Sequence, residues 1–221
     1  MKAAIKQFSA KGYHSTTVKD IADEAGVSAG LIYQYVSDKE DLLFLALQHI
    51  VQRNKEEVPR AAESVDDPIV ALYRAVDAYS RVLAANQQAV LLTYRETKSL
   101  GPEYIERMKE LEIETNQLIA DRVEKCIEAG YLAQVHVELL VYRIIFGAHA
   151  WPLKHWRLRQ IVSFEEYLDE VIHATWKAYL LPRGMSRYEA LLRSGELQPT
   201  EVKPEQEVQE TSKRKRRTNV A

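Results

Sequence analysis

TTVKDIADEAGVSAGLIYQYVSDK, residues Thr16–Lys39, reads as two short helices joined by a tight turn, the second almost free of charge. Thr17 can cap the first helix, because its hydroxyl accepts from backbone N–H groups that have no helical partner. Ile21, Ala22 and Ala25 form an apolar stripe at helical spacing. Gly26 stands where the chain must turn sharply, and glycine takes positive φ there without a steric penalty. Ser28 can cap the second helix, with Ile32 packing back on the first and the small Ala22 allowing a close, steep crossing. The pattern predicts a helix-turn-helix whose second helix enters the DNA major groove.

Working outward, FSAKGYHS precedes this stretch, and Lys39 to Leu42 open the next helix. Together with the Gly26-Val27 turn and the Tyr33/Tyr35 pair, these residues resemble the DNA-binding signature of the tetracycline-repressor (TetR-type) family of bacterial transcription regulators. The resemblance covers roughly the first fifty residues. It implies an all-α homodimer, with an N-terminal three-helix head over residues 1–47. It also implies a ligand-binding and dimerisation domain over 48–182.

Composition agrees with a globular chain able to bury a sizeable core: 221 residues, 46% hydrophobic and 28% charged. No apolar run approaches the roughly 20 residues of a membrane helix, and no signal-peptide pattern opens the chain. A cytoplasmic location, with no membrane partner, is the expectation. Cys126 is the one cysteine and falls on a helical apolar stripe, as a buried structural thiol does. The net charge of −2 gives DNA binding no help. Lys2, Lys6, Lys11, Lys19 and Lys39 face Asp20, Asp23, Glu24, Asp38, Glu40 and Asp41 within the head. Non-specific affinity comes largely from neutralised phosphates, so two heads acting together are needed.

Helical periodicity runs through most of the remainder. A first helix over Lys2–Lys11 turns Ala4, Ile5 and Phe8 inward and ends at Gly12. Asp38 caps a long helix to about Glu57, with a break expected from Pro59 to Pro68. Further helices are predicted over Pro68–Asn86, Gln87–Ser99 and Pro102–Ala129. On the last of these, Met108, Leu111, Thr115, Leu118, Arg122 and Cys126 are expected near one face. Val135–Ala150 follows, broken at Trp151-Pro152, then Phe164–Leu181. Val137, Leu140, Val141, Ile144, Ile145 and Ala148 make the former too apolar for a surface helix of a monomer. By the resemblance this pair forms a four-helix bundle with its copy; an ordinary interior helix fits the same pattern. Residues 183–221 read as a mostly disordered tail with a short helix over Ser186–Arg193 and a basic run, Lys213–Arg217.

Expected DNA contacts follow by position. Thr17 and Ser28 sit at helix N-termini, where hydroxyl and backbone N–H suit a phosphate. Ala29 and Leu31 can meet a thymine methyl, Gly30 permits close backbone approach, and Gln34 can pair with adenine. Tyr33, Tyr35 and Lys39 match the family's phosphate-contacting positions. The expected partner is a double-stranded operator, palindromic if the chain is a homodimer.

For the second domain, the resemblance implies an effector enclosed between helices. Tyr73, Tyr79, Tyr94, Tyr142 and Phe146 are candidate walls, and Arg95, Asn116 and His149 candidate polar contacts. A small, largely apolar molecule is expected, such as a fatty-acyl thioester with Arg95 or Lys98 near its phosphates. The functional expectation is a repressor released from DNA by this effector. Alternatives are a ligand-independent DNA binder and an enzyme. Against the enzyme, none of the six histidines stands in a metal-ligand motif, and no glycine-rich phosphate loop or nucleophile elbow occurs. No metal and no cofactor are expected.

Overall fold

The computed structural model describes residues 1–63 and 65–199, and every described element but one isolated β-bridge is helical. Helix α1 (Lys2–Lys11) buries Ala4, Ile5 and Phe8 and stops at Gly12, whose φ of 79° suits glycine. Helices α2 (Val18–Ala25) and α3 (Ala29–Ile32) form the helix-turn-helix around Gly26, in the left-handed region at φ 68°. Val18, Ile21 and Ala22 are the buried face of α2; Ala25 is exposed, displaced from the expected stripe.

Helix α4 (Lys39–Ala61) is capped by Asp38, whose carboxylate accepts from the Asp41 N–H at 2.9 Å. It runs through Pro59 rather than breaking there. Proline forfeits one i→i−4 bond, and this proline lies in the final turn, where little helix remains to disrupt. The same reason lets α8 (Val137–Leu153) continue through Trp151 and Pro152.

Helix α5 (Pro68–Ala85) is the central element, buried on several sides and packed on α4, α7 (Pro102–Glu128) and α8. Helix α6 (Gln87–Glu96) touches α1, α4 and α8 and passes into a 3₁₀ turn at Thr97–Ser99. On α7 the core takes Ile119 and Val123, while the expected Leu118 and Arg122 are half-buried. Cys126 is buried as expected, its thiol donating to the Pro68 carbonyl at 3.1 Å.

Beyond α8 lie α9 (His155–Leu158), then α10 (Phe164–Tyr167) and α11 (Ala174–Lys177), joined by a π-helical segment, Leu168–His173. Trp176 is fully buried there. The chain then forms α12 (Pro182–Ser194), longer than the expected Ser186–Arg193 and part of the core through Tyr188 and Leu191. Arg187 anchors it to Asp67 at 2.7 Å, and a Cβ on Gly184 would collide with the Tyr131 carbonyl. Residues 183–199 are therefore not a disordered tail. Polar residues are interspersed along this segment's sequence, and the buried Tyr188, Leu191 and Leu197 suffice to dock it. The basic run Lys213–Arg217 lies outside the described residues. No described helix is long and apolar enough to cross a membrane.

Candidate nucleic-acid interface and effector cavity

The head presents its expected DNA residues on a built scaffold. Thr17 and Asp20 form a reciprocal capping box: the Thr17 Oγ1 accepts from the Asp20 N–H at 3.1 Å, and the Asp20 carboxylate accepts from the Thr17 N–H at 2.8 Å. The Thr17 hydroxyl also donates to that carboxylate, so its side chain is committed to the cap. Lys11 lies 2.8 Å from Asp20 and Lys6 2.6 Å from Glu24, so two head lysines neutralise acids of α2. Ser28 caps α3 by accepting from the Leu31 N–H at 3.2 Å.

No residue of α3 is buried. Ala29 is half-buried, while Gly30, Leu31, Tyr33, Gln34 and Tyr35 are exposed; Tyr35 is 80% exposed. A Cβ on Gly30 would meet only the Ser28 hydroxyl, at 3.9 Å, which leaves the backbone open to approach. The Lys39 ammonium donates to the carbonyls of Tyr13 (3.0 Å) and His14 (3.4 Å) and lies 4.4 Å from the Tyr13 ring centroid. It pins the loop after α1 and has one further N–H to offer.

The second domain holds a cavity of about 440 Å³ between α4, α5, α6, α7 and α8. Leu47, Ile50, Val90, Met108 and Ile145 supply apolar wall. Of the expected ligand residues, Tyr79, Tyr94, Asn116, Phe146 and His149 line it. The other three do not. Tyr73 is six residues from Tyr79, which turns it to another side of α5; it stacks on His173 at 4.2 Å instead. Tyr142 shares a helix face with His149 but lies two turns away, in a neighbouring groove. Arg95 follows Tyr94 on α6 and points elsewhere: its guanidinium donates to the carbonyls of Phe8 (2.6 Å) and Ser9 (3.1 Å) at the end of α1. Lys98 is exposed and is not among the lining residues.

At the polar end His149 sits between two phenols, Tyr79 at 2.8 Å from Nε2 and Tyr94 at 3.1 Å from Nδ1. Burial pushes the imidazole down to about 4, so it is neutral at pH 7. Burial, and then the nearby Glu112, raise the Tyr94 phenol. The cavity is also lined by a residue that the sequence reading missed, Asn54, buried with its Oδ1 unpartnered. Its signal was available: an amide at the helical repeat of Leu47 and Ile50, on an otherwise apolar face of α4.

The exposed recognition helix and the largely apolar cavity match known proteins along both parts. The family description "Bacterial regulatory proteins, tetR family" fits residues 1–46, and "Tetracyclin repressor-like, C-terminal domain" fits 65–157. The transcriptional regulator HbdR of Aromatoleum sp. (strain CIB) is 39% identical over 196 residues, 89% of this chain and 86% of that protein. The chain belongs to the TetR family. It is a DNA-binding transcriptional regulator of the helix-turn-helix type and not an enzyme. The fatty acid metabolism regulator protein of Bacillus subtilis (strain 168) is 24% identical over 66% of this chain and 75% of its own length. Among solved structures, the fatty acid degradation regulator FadR of Bacillus halodurans superposes with a TM-score of 0.69 at 22% identity, covering 79% of this chain and 91% of that one. At that identity the likeness concerns the fold. TetR-family regulators bind DNA operators and act as dimers with small-molecule effectors.

Proposed function

We propose that this chain is a repressor that leaves a palindromic operator when a small, largely apolar effector enters the 440 Å³ cavity. The observation that carries the reading is the succession of Tyr94 and Arg95 on α6. The first lines the cavity and the second grips the end of α1 in the DNA head. Helix α4 makes a parallel connection, beginning at Lys39 in the head and reaching the cavity through Leu47, Ile50 and Asn54. An occupant that displaces α6 or α4 changes how the head is held, and so the separation of two heads in a dimer. Half-sites one DNA turn apart, about 34 Å, make binding sensitive to that separation.

In this reading residues 1–47 are the head and 48–182 the effector and dimer unit, to which α12 adds. Ser28, Tyr33, Tyr35 and Lys39 contact phosphates; Ala29, Gly30, Leu31 and Gln34 face bases. The protein works in the cytoplasm, where its operator is. A fatty-acyl thioester is the proposed effector class, supported by the apolar walls and by relatives named as fatty acid regulators. Because Arg95 is committed to α1, the phosphates of such a thioester would lie outside the cavity.

Mass spectrometry of small molecules released on denaturing the purified protein identifies a candidate effector. Calorimetry with and without operator then tests the switch, since linkage requires operator to weaken effector binding as much as effector weakens operator binding. Equal effector affinity in both titrations would leave a ligand-independent DNA binder.

A further inference from the structure

The three side chains at the polar end of the cavity restrict one another. Neutral imidazole carries one N–H donor and one acceptor nitrogen. Both nitrogens of His149 face a tyrosine hydroxyl, so one tyrosine donates to the ring and the other accepts from it. Tyr79 is buried at 4% exposure, and Tyr94 is 52% exposed. If Tyr79 were the acceptor, its own O–H would be left in an apolar interior without a partner, which costs free energy. The favourable arrangement has Tyr79 donating to Nε2 and the Nδ1–H donating to Tyr94. Tyr94 then keeps its O–H for whatever fills the cavity.

Charge restricts the occupant further. Asn54 contributes an uncharged amide, buried to 2% exposure. Glu112 contributes a carboxylate, and Lys109, the one cation among the described residues of the wall, is exposed and paired with Glu106 at 2.9 Å. A buried carboxylate on the ligand would meet no free cation among these described residues, and an unpaired buried charge is strongly disfavoured.

We propose that the cavity selects an uncharged apolar group carrying an acceptor oxygen, such as a ketone, ester or thioester carbonyl, which accepts from the Tyr94 hydroxyl. This rests on the cavity being the effector site. Three near-isosteric probes test it by calorimetry: 2-acetylnaphthalene, 2-isopropylnaphthalene and 2-naphthoate. The wild-type chain should bind the ketone about tenfold more tightly than the hydrocarbon, the scale of one hydrogen bond. The carboxylate should bind weakest. Tyr94→Phe should erase the ketone's advantage over the hydrocarbon. The wild-type comparison stands even if that variant fails to fold. Equal binding of ketone and hydrocarbon, a preference for the carboxylate, or a preference retained in Tyr94→Phe overturns the proposal while leaving the cavity reading in place. Binding of none of the three removes the cavity reading, and this inference with it.

Discussion

Lys39 has two tasks that pull in opposite directions. Its ammonium holds the Tyr13 and His14 carbonyls, and in the proposed complex it also reaches a phosphate. Lys39→Ala should therefore weaken operator binding and lower the melting temperature by a few degrees, as loss of about 1 kcal/mol does. Tyr33→Phe should weaken binding roughly fivefold with no change in melting, since its hydroxyl lies outside every internal contact described above. Both should shift affinity alike across DNA sequences in a mobility-shift assay; wild-type binding by the pair would refute the recognition surface. Two buried histidines set a pH dependence. Burial lowers His149 and His173 from 6.5 to about 4, with Asp77 opposing the shift at His173. Below pH 6.5 the unfolded chain takes up protons that the folded chain refuses. Their contribution, up to about 3 kcal/mol each, is whole above pH 6.5, declines as pH falls, and is gone below about 4. Urea midpoints should drop between pH 7.5 and 5, less steeply in His173→Gln; a flat profile would contradict the burial of both rings.

Helix α8 separates two readings that its sequence left open. Ile144 and Ile145 are buried within the single chain, whereas Leu139 and Phe146 are exposed, at 60% and 62%. The helix is thus both an interior element and an outward apolar face, which is why its apolar pattern is so wide. Ile144→Asp should prevent stable folding, because it leaves a charge unpaired in the core. Leu139→Asp should stay helical by circular dichroism and become monomeric in light scattering; a dimer that survives would move the interface elsewhere. Arg95→Ala should keep probe affinity in the cavity but blunt its effect on operator binding, measured by mobility shift with and without ligand. An unchanged switch would assign the coupling to α4 alone. The end of α1, both ends of α2 and the start of α4 were legible because Gly12, Thr17, Gly26 and Asp38 mark them locally. Less legible was anything set by tertiary packing. Pro59 and Pro152 looked like breaks because local rules ignore how little helix follows them, and α12 looked like tail because two docking residues leave little periodic signal. Arg95 and Tyr73 could be placed near the cavity by sequence but not pointed, since one or two residues on a helix decide which neighbour a side chain meets.

At the scale of the molecule, stability and the proposed reading of DNA are carried by different residues. The interior runs from Phe8 in α1 through Leu43 and Leu47 in α4 to Leu72 in α5 and Trp176 in α11, while α3 adds no buried residue to it. Its attachment comes from Ser28 at one end, the Gly26 turn and half-buried Ile32. Changes at positions 30 and 31 should therefore alter which operator is bound at almost no thermodynamic penalty, within about 0.5 kcal/mol as for surface sites generally. A library randomised at Gly30 and Leu31 should yield mostly folded proteins with near-parental melting temperatures and divergent DNA preferences; widespread unfolding would show that α3 is part of the core after all. A lineage built on this scaffold can retarget its genes by a few substitutions while its inherited sensing half stays untouched, so new regulatory circuits arise without a detour through unstable ancestors.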